Sequence, residues 1–402
     1  MRGRLSGCRP AGSSGRGATP TELYGAITRL RTAGGEPGAG RSIQQSGLMR
    51  SPSTAVVEDS YSAHFHPRRS GSTAGGALAV EGLQMSSEDT FRHRPVMAGE
   101  VVELLVGVPS GTVVDATVGG GGHSRAILES HPGVTVLGID ADEEAVAAAT
   151  AELAEFGSRA RVVQGRFDAL AAIVRARGAE PVTGVLFDLG VSSHQLDVAR
   201  RGFSYRQGGP LDMRMDASGG LTAADVVNAM DPRHLAELIA ANGEPVYARA
   251  IARAIVAARP LSTTLELAEA VKSAIPARAR RHGGHPATRV FQAIRIAVNG
   301  ELDVLRAALG QALDVVVPSG RICVISYHSG EDRIVKRAFV EAVTGGCSCP
   351  SGLPCVCGAR PRAAFVRRSG AIRPSEAEVA SNRRAASARL RVVEVVPAPE
   401  LR

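Results

Sequence analysis

Short apolar runs alternate along this chain with longer stretches in which apolar residues recur every three or four positions. From Phe91 onward the pattern predicts a helix at 101–106 and then a series of buried strands, most of them followed by a helix. The predicted strands cover 112–115, 134–139, 161–164 and 182–189, and the predicted helices cover 124–130, 143–156 and 169–177. This alternation predicts a parallel sheet covered by helices on both faces.

The alternation stops near residue 206 and resumes near residue 300. Between these points the pattern predicts only turns and helices, at 223–229, 233–242, 245–258, 264–273 and 288–299. A helix at 302–312 and a strong strand at 321–327 follow. We therefore predict an α/β domain formed by 91–205 and 300–402, interrupted by an all-helical domain at 206–299.

The first 90 residues differ in texture from the rest. They are rich in glycine, serine, arginine and threonine and show no sustained periodicity, so we expect a disordered or mis-assigned extension, with Met85 as the preferred start. An organellar transit peptide is a minor alternative. Because no apolar run suits a membrane span or a signal peptide, we expect a cytoplasmic protein without membrane contact.

Composition adds a weak indication of a polyanionic partner. The chain has 402 residues, 44% of them hydrophobic, which is enough for a sizeable core, and its net charge is +8. Lysine occurs only at Lys272 and Lys336, so nearly all of the positive charge comes from arginine. Such arginine bias is as typical of a GC-rich genome as of a nucleic-acid-binding protein, so charge alone does not decide between them.

A run of four glycines, 119–122, follows the first predicted strand and is typical of a loop that approaches a nucleotide cofactor closely. The second strand ends at Asp140, whose carboxylate is suited to ribose hydroxyls. A nicotinamide dinucleotide and S-adenosylmethionine both fit this arrangement. Ser124 stands where the dinucleotide fingerprint has its third glycine or alanine. Asp115 before the glycines suits a cofactor with an ammonium group. The pattern therefore favours S-adenosylmethionine. Phe167 after the third strand is suited equally to adenine and to the core.

Several longer motifs follow in a fixed order. They are Leu-Gly-Val-Ser-Ser-His-Gln-Leu-Asp at 189–197, Arg-Gly-Phe-Ser at 201–204, Gly-Pro-Leu-Asp-Met-Arg-Met-Asp at 209–216, His-Pro-Ala-Thr-Arg-Val-Phe-Gln-Ala-Ile-Arg at 285–295 and Ser-Tyr-His-Ser-Gly-Glu-Asp-Arg-Ile-Val-Lys at 326–336. These segments resemble the bacterial 16S rRNA cytidine-N4 methyltransferase family (RsmH, also called MraW), and the likeness covers roughly 91–395. The first 84 residues have no counterpart in it.

The resemblance implies a Rossmann-like, class I S-adenosylmethionine-dependent methyltransferase core with an inserted helical domain. It also implies methyl transfer to the N4 amine of a cytidine in the decoding centre of 16S rRNA, with the small ribosomal subunit as partner. The residues that it assigns to the methyl donor are Gly121, Gly122, His123, Asp140, Phe167, Asp188 and Gln195. The chain departs from the family at Val118, His194 and Gly330, none of which removes a donor contact.

Methylation of an amine requires an acceptor for the amino proton. We hypothesise that Asp188 or Asp212 accepts it. His328 follows the strand at 321–327 and is a third candidate for the site, either positioning the base or binding phosphate; capping the next helix is an equal alternative.

The predicted helix at 288–299 carries two stripes. Phe291, Ile294 and Val298 form an apolar one that should pack. The polar stripe, which we expect to face RNA rather than solvent alone, contains His285, Arg289, Gln292 and Asn299. A basic loop suited to phosphates precedes it and contains Arg278, Arg280, Arg281 and His282.

Four cysteines, Cys347, Cys349, Cys355 and Cys357, crowd into one short segment. They form either a structural zinc cluster or a reduced thiol loop, and no metal is assigned to the reaction.

Two other classes of function remain as alternatives: a nicotinamide-dependent oxidoreductase and a non-catalytic RNA-binding assembly factor. The oligomeric state is open, with a homodimer as one alternative.

Overall fold

The computed structural model describes residues 95–280, 285, 287–350, 356–367 and 370–397, all within the His93–Arg402 part of one compact unit. The extension predicted at 1–90, including Met85, lies outside the described residues. None of the helices within the described ranges is long and apolar enough to cross a membrane.

A seven-stranded sheet in the order β3-β2-β1-β4-β5-β7-β6 forms the centre of the fold. The strands are β1 Gly111–Asp115, β2 Val134–Asp140, β3 Ala160–Gln164, β4 Val182–Asp188, β5 Val316–Ser326, β6 Ala363–Phe365 and β7 Arg389–Val395. Strands β1 to β5 are parallel to one another, whereas β7 runs antiparallel to both β5 and β6. This doubly wound order confirms the predicted α/β, Rossmann-like class.

Helices cover both faces of the sheet, as predicted. They are α1 Ala98–Val106, α2 Gly122–Ser130, α3 Glu143–Glu152, α4 Leu170–Ala176, α12 Glu301–Val315, α13 Ser329–Thr344 and α14 Glu376–Ser381. One apolar cluster packs α12 and α13 on the sheet, and a second packs α1 and α2 on the other side. The β1 and β4 side chains contribute to both clusters, which explains why these strands read as continuous apolar runs.

Between β4 and α12 the chain is helical. The helices are α5 Ser193–Asp197, α6 Ala223–Ala229, α7 Pro232–Asn242, α8 Ala248–Ala257, α9 Thr264–Ala274, α10 Ala277–Arg280 and α11 Ala287–Asn299. Their apolar faces share one core cluster. Helices α6 and α9 begin in capping boxes at Thr222 and Thr263, and α7 begins with the cap Asp231 before Pro232. These local signals explain why the starts were predictable to within a few residues.

The differences from the predicted elements have local causes. The helix predicted at 143–156 ends at Glu152, because a 3-10 helix, Ala154–Arg159, follows and contains Gly157 with φ 55°. The helix predicted at 245–258 begins only at Ala248. Strands β6 and β7 were not predicted; both complete the far edge of the sheet, where β7 pairs with β5 from Arg321 to Ser326.

Strands β1 and β4 are neighbours, and the chain leaves them toward opposite sides of the sheet. In open α/β sheets such a switch point leaves a crevice at the carboxyl ends of the strands. The residues that follow β1, β2, β4 and β5 therefore meet at this edge.

Candidate functional site

The glycine turn after β1 is packed tightly on both sides. Gly119 and Gly121 have φ values of 51° and 86°, and Gly121 caps α2. A Cβ on Gly121 would lie 3.4 Å from the Ala149 Cα of α3, and one on Gly122 would lie 3.2 Å from the Pro95 ring. The positive φ at Gly121 and the close Pro95 ring at Gly122 both favour glycine in this turn.

Asp140 at the end of β2 holds this turn. One of its carboxylate oxygens accepts from the Gly119 N–H at 2.9 Å and the other from the Asp142 N–H at 3.0 Å. Burial raises the pKa of Asp140 to about 6, although both hydrogen bonds favour the charged form. The carboxylate keeps further lone pairs for a ligand in the crevice.

Asp115 has a different role from the one inferred from its position. Its carboxylate is 1% exposed, accepts from the Ser124 hydroxyl at 2.7 Å and faces the Thr117 N–H at 3.3 Å. Burial raises its pKa. Asp115 therefore ties the start of α2 to β1, and its suitability for a cofactor with an ammonium group stays a prediction.

His123, the first side chain after the glycines, is buried between two partners. Its Nε2 donates to the Val96 carbonyl at 2.9 Å, because a carbonyl can only accept, and its Nδ1 lies 3.6 Å from the Asp188 carboxylate. The imidazole is thus fixed in orientation by the turn before α1, and it places a polar nitrogen beside the end of β4.

Asp188 lies at the centre of the crevice edge, with its side chain 24% exposed. Its backbone N–H donates to the Thr117 hydroxyl at 2.7 Å, and its carboxylate accepts from the Tyr327 O–H at 2.7 Å. Burial raises the pKa of Asp188, and it raises that of Tyr327 as well. Tyr327 comes directly after β5 and was missed in the sequence, although it belongs to the Ser-Tyr-His-Ser motif.

Phe167 follows β3 at this edge, and Gln195 follows β4. Phe167 is half-buried and meets the Phe187 ring in a T-shaped arrangement at 5.7 Å between centroids. Gln195 is 4% exposed; its Nε2 donates to Asp142 at 2.9 Å, and its Oε1 accepts from the Ser192 N–H at 3.2 Å in a capping box. The buried Gln195 amide therefore positions Asp142 beside Asp140.

Arg201 joins this edge to the helical segment and was not singled out in the sequence. It is 9% exposed, and its guanidinium lies 2.7 Å from the Asp142 carboxylate. It also donates to the carbonyls of Arg214 and Met215 at 3.1 and 3.0 Å. A buried arginine that satisfies a buried carboxylate and two carbonyls fixes the loop that leads from the crevice to α6.

Asp212 is held in a bidentate ion pair with Arg214, at 2.9 and 2.7 Å. The Arg214 guanidinium keeps the pKa of Asp212 below its usual value, although burial alone would raise it. A carboxylate so stabilised in its charged form is a weak proton acceptor. The structure therefore favours Asp188 over Asp212 for that role.

His328 caps α13. Its Nδ1 accepts from the Gly330 N–H at 3.1 Å, while Glu331 accepts from the His328 and Tyr327 N–H groups at 3.2 and 2.8 Å. Of the two roles expected for His328, the structure supports capping. Behind His328, the Arg295 guanidinium donates to both carboxylate oxygens of Glu301 at 2.7 and 2.8 Å, so the negative charge of Glu301 is already balanced.

The residues of the predicted RNA-facing stripe do not all lie at the surface. Asn299 is 9% exposed, and its amide accepts from the Met215 N–H and donates to the Met213 carbonyl, so its place in that stripe is wrong. It is a buried anchor for the loop after Arg201. The reason is that α11 ends against that loop, which periodicity alone does not reveal.

The other members of the stripe lie nearer the surface. His285 is exposed and stacks on Tyr205 at 4.4 Å between centroids. Arg289 is exposed and pairs with Glu244 at 3.2 Å, and Gln292 is half-buried. In the basic loop, Arg278 is exposed on α10. Arg280 ends that helix, and Arg281 and His282 lie outside the described residues.

The cysteine segment lies after α13, away from the crevice side chains described above. The thiols of Cys347, Cys349 and Cys357 converge, with their sulfur atoms all within 4.8 Å of one another. Cys355 lies outside the described residues.

Comparisons with known proteins agree with the motifs. The model of the MraW methylase family matches residues 90–396. The chain is 49% identical over 312 residues to the ribosomal RNA small subunit methyltransferase H of Syntrophotalea carbinolica, covering 76% of this chain and 99% of that protein. It is also 49% identical over 315 residues to the protein of the same name from Symbiobacterium thermophilum, covering 77% and 98%.

A solved rRNA methylase from Streptococcus thermophilus aligns with a TM-score of 0.34 and 12% identity, over 74% of this chain and 95% of that one. The match to the family model is different in kind, because it extends from the turn before α1 to the end of β7 and includes every crevice residue described above. On that ground the chain belongs to the MraW methylase family.

Proposed function

We propose that this protein transfers a methyl group from S-adenosylmethionine to the N4 amine of a cytidine in the rRNA of the small ribosomal subunit. The observation that carries the proposal is the Asp188 carboxylate at the crevice edge, oriented by the Tyr327 hydroxyl and flanked by the glycine turn. The relatives' names support small-subunit rRNA as the substrate. Membership of a methylase family leaves the nicotinamide alternative without support.

The crevice residues fit the methyl donor, which supplies an electrophilic methyl group on a sulfonium. Asp140 is placed to accept from the ribose hydroxyls. The half-buried Phe167 ring, which follows β3 at the same edge, is the side chain that we assign to the adenine. Gly120 in the turn at 119–122 borders open space, since a Cβ there would meet no atom within 4 Å, and this leaves room for the donor beside the backbone. His123 and Gln195 act from behind, because both side chains are buried and hold the turn and Asp142 in place.

Asp188 is the group that we assign to the amino proton. The N4 lone pair of cytosine is delocalised into the ring, so the nitrogen needs alignment and an acceptor as it becomes cationic. One Asp188 oxygen already accepts from Tyr327, which leaves the other, next to His123 Nδ1, for the substrate. Burial raises the pKa of Asp188 and makes it a stronger base than an exposed aspartate.

Tyr327 supplies the aromatic side chain that many amino methyltransferases carry directly after strand four. In this chain the residues after Asp188 are Leu189 and Gly190, with no aromatic. A Cβ on Gly190 would lie 3.5 Å from the Tyr327 ring, so the ring packs over this backbone from β5. The two strands together thus produce a carboxylate and an aromatic hydroxyl in contact.

We expect donor affinity to fall as the pH drops below about 6. The ionised Asp140 is placed to accept hydrogen bonds from the ribose hydroxyls, whereas protonation turns one carboxyl oxygen into a donor and removes acceptor sites. Since burial raises its pKa to about 6, affinity should be full above that pH and fall about tenfold per unit below it. Calorimetric titration between pH 5 and pH 8 measures this.

The Asp140→Asn variant is the control for that titration, since it cannot titrate. Its affinity should be low and the same at both ends of the range. A variant that retained the wild-type pH profile would show that another group, such as Asp188, is responsible.

The raised pKa of Asp140 also makes the stability of the fold depend on pH. The contribution of Asp140 to the free energy of unfolding is largest at acid pH and is lost as the pH rises through 6.

We propose that the surface around α10 and the start of α11 contacts the RNA. Exposed Arg278, Arg289 and His285 give it positive charge and a stacked ring, with Gln292 beside them. Arg280 and Arg281 belong to the same basic sequence. Because Glu244 already neutralises Arg289, we expect Arg278 to contribute more to phosphate binding.

Replacing Arg278 by alanine should weaken binding to small-subunit rRNA and lower the slope of log affinity against log salt by about one. Lys272→Ala is the matched control, because this exposed cation on α9 is paired with Glu269 at 3.0 Å. Filter binding at several salt concentrations distinguishes the two. Equal salt slopes for Arg278→Ala and wild type would place the RNA elsewhere.

The reaction is tested with labelled methyl donor and small subunits that lack the modification. Digestion to nucleosides and mass spectrometry should reveal label in N4-methylcytidine only. Label in another nucleoside would contradict the assignment of N4. Binding of the subunits with no transfer would support the non-catalytic assembly factor instead.

A further inference from the structure

Three cysteine thiols meet where the chain leaves α13 and returns toward the sheet. Cys347 and Cys349 follow the helix, and Cys357 lies on the returning segment. Their sulfur atoms all lie within 4.8 Å of one another. No other group of three cysteines in the described ranges converges in this way, since Cys323 is buried in β5.

The backbone fixes this approach independently of the thiols. Gly345 ends α13 with φ 62°, and a Cβ there would lie 2.5 Å from the Arg360 backbone. The Arg362 N–H donates to the Ala342 carbonyl at 2.8 Å, and the Cys347 N–H donates to the Thr344 carbonyl at 3.1 Å. The helix end and the returning segment are therefore locked side by side, with the thiols between them.

The spacing of the sulfur atoms suits a metal ion. Zinc bound by thiolates at about 2.3 Å in tetrahedral geometry separates the sulfur atoms by roughly 3.8 Å, which a small inward rotation of these side chains reaches. The surrounding sequence favours the negative charge of such a centre, because 345–375 contains several arginines and no aspartate or glutamate. Among common metals, zinc is the one that thiolate-rich, tetrahedral, non-redox structural sites select.

We propose that Cys347, Cys349 and Cys357 bind one structural zinc ion that fastens the end of α13 to the returning segment at 356–362 and so positions β6 against β7. The ion lies outside the crevice and takes no part in methyl transfer. Cys355, in the same motif, lies outside the described residues.

The full chain, expressed with zinc in the medium and purified without chelator, should contain one zinc per chain by elemental analysis. A mercurial that blocks thiols should release it, as followed with a zinc indicator. Cobalt exchanged for zinc should give the intense visible bands of a tetrahedral thiolate site. These three measurements use the wild-type protein, so they decide the matter even if a variant fails to fold.

Cys347→Ser, Cys349→Ser and Cys357→Ser should each lose most of the zinc and lower the midpoint of thermal unfolding. Cys8→Ser, which removes a thiol elsewhere, is the matched control and should retain one zinc per chain. Wild-type protein with no metal, or with iron in its place, would overturn the proposal. Full zinc content in all three variants would also overturn it.

Discussion

Asp188→Asn should lower the rate of methyl transfer by a factor on the order of 10²–10⁴, the usual contribution of a positioned proton acceptor. Asparagine keeps the shape of the side chain and still accepts from the Tyr327 hydroxyl, but it cannot take the amino proton. Single-turnover transfer at saturating donor and RNA measures the effect. Donor affinity, measured separately by calorimetry, should change much less.

Two further variants make the assignment specific. Asp212→Asn breaks the pair with Arg214 and should reduce transfer far less than Asp188→Asn, because this carboxylate is already satisfied. Tyr327→Phe removes only the donor to Asp188 and should give an intermediate loss with a shifted pH profile. If Asp188→Asn retained wild-type transfer, the amino proton would have to leave by another route.

Asp140→Ala should weaken donor binding by about 3 kcal/mol, on the order of 10²-fold in Kd. The variant loses the acceptors for the ribose, and it leaves the Gly119 and Asp142 N–H groups without their partner, so the glycine turn loosens. Calorimetric titration with the donor measures the change.

Glu143→Ala is the matched control for Asp140→Ala. This exposed carboxylate at the start of α3 lies near the same edge, so its removal changes the local charge without touching the turn. Its Kd should stay close to that of the wild type. An equal loss in both variants would reduce the role of Asp140 to general electrostatics.

The sequence was informative wherever local signals decide structure. The strands β1 to β4, the capped helices α6 and α9 and the glycine turn follow from apolar periodicity, capping residues and glycine conformations, which act over a few positions. The strands β6 and β7 were missed because they form an edge by pairing across long sequence distances. Such pairing leaves little trace in a short window of sequence.

The site shows the same division between local and distant causes. Asp140 and Asp188 could be named because each ends a predicted strand at the switch edge. The partners of these carboxylates could not be named: Tyr327 reaches Asp188 across 139 positions. Asn299 was misjudged for a related reason, since whether a polar side chain faces the surface or a buried partner depends on the tertiary packing around it.

Arg201 has a thermodynamic consequence. Its guanidinium pairs with Asp142, next to the carboxylate assigned to the ribose, and donates to the carbonyls of Arg214 and Met215. The Met215 N–H in turn donates to Asn299 at the end of α11. One buried side chain thus contacts both the edge of the donor crevice and the loop on which α11 ends, so we expect donor binding and RNA binding to influence each other. If binding of the methyl donor changes the affinity for the small ribosomal subunit by some factor, binding of the subunit must change the affinity for the donor by the same factor.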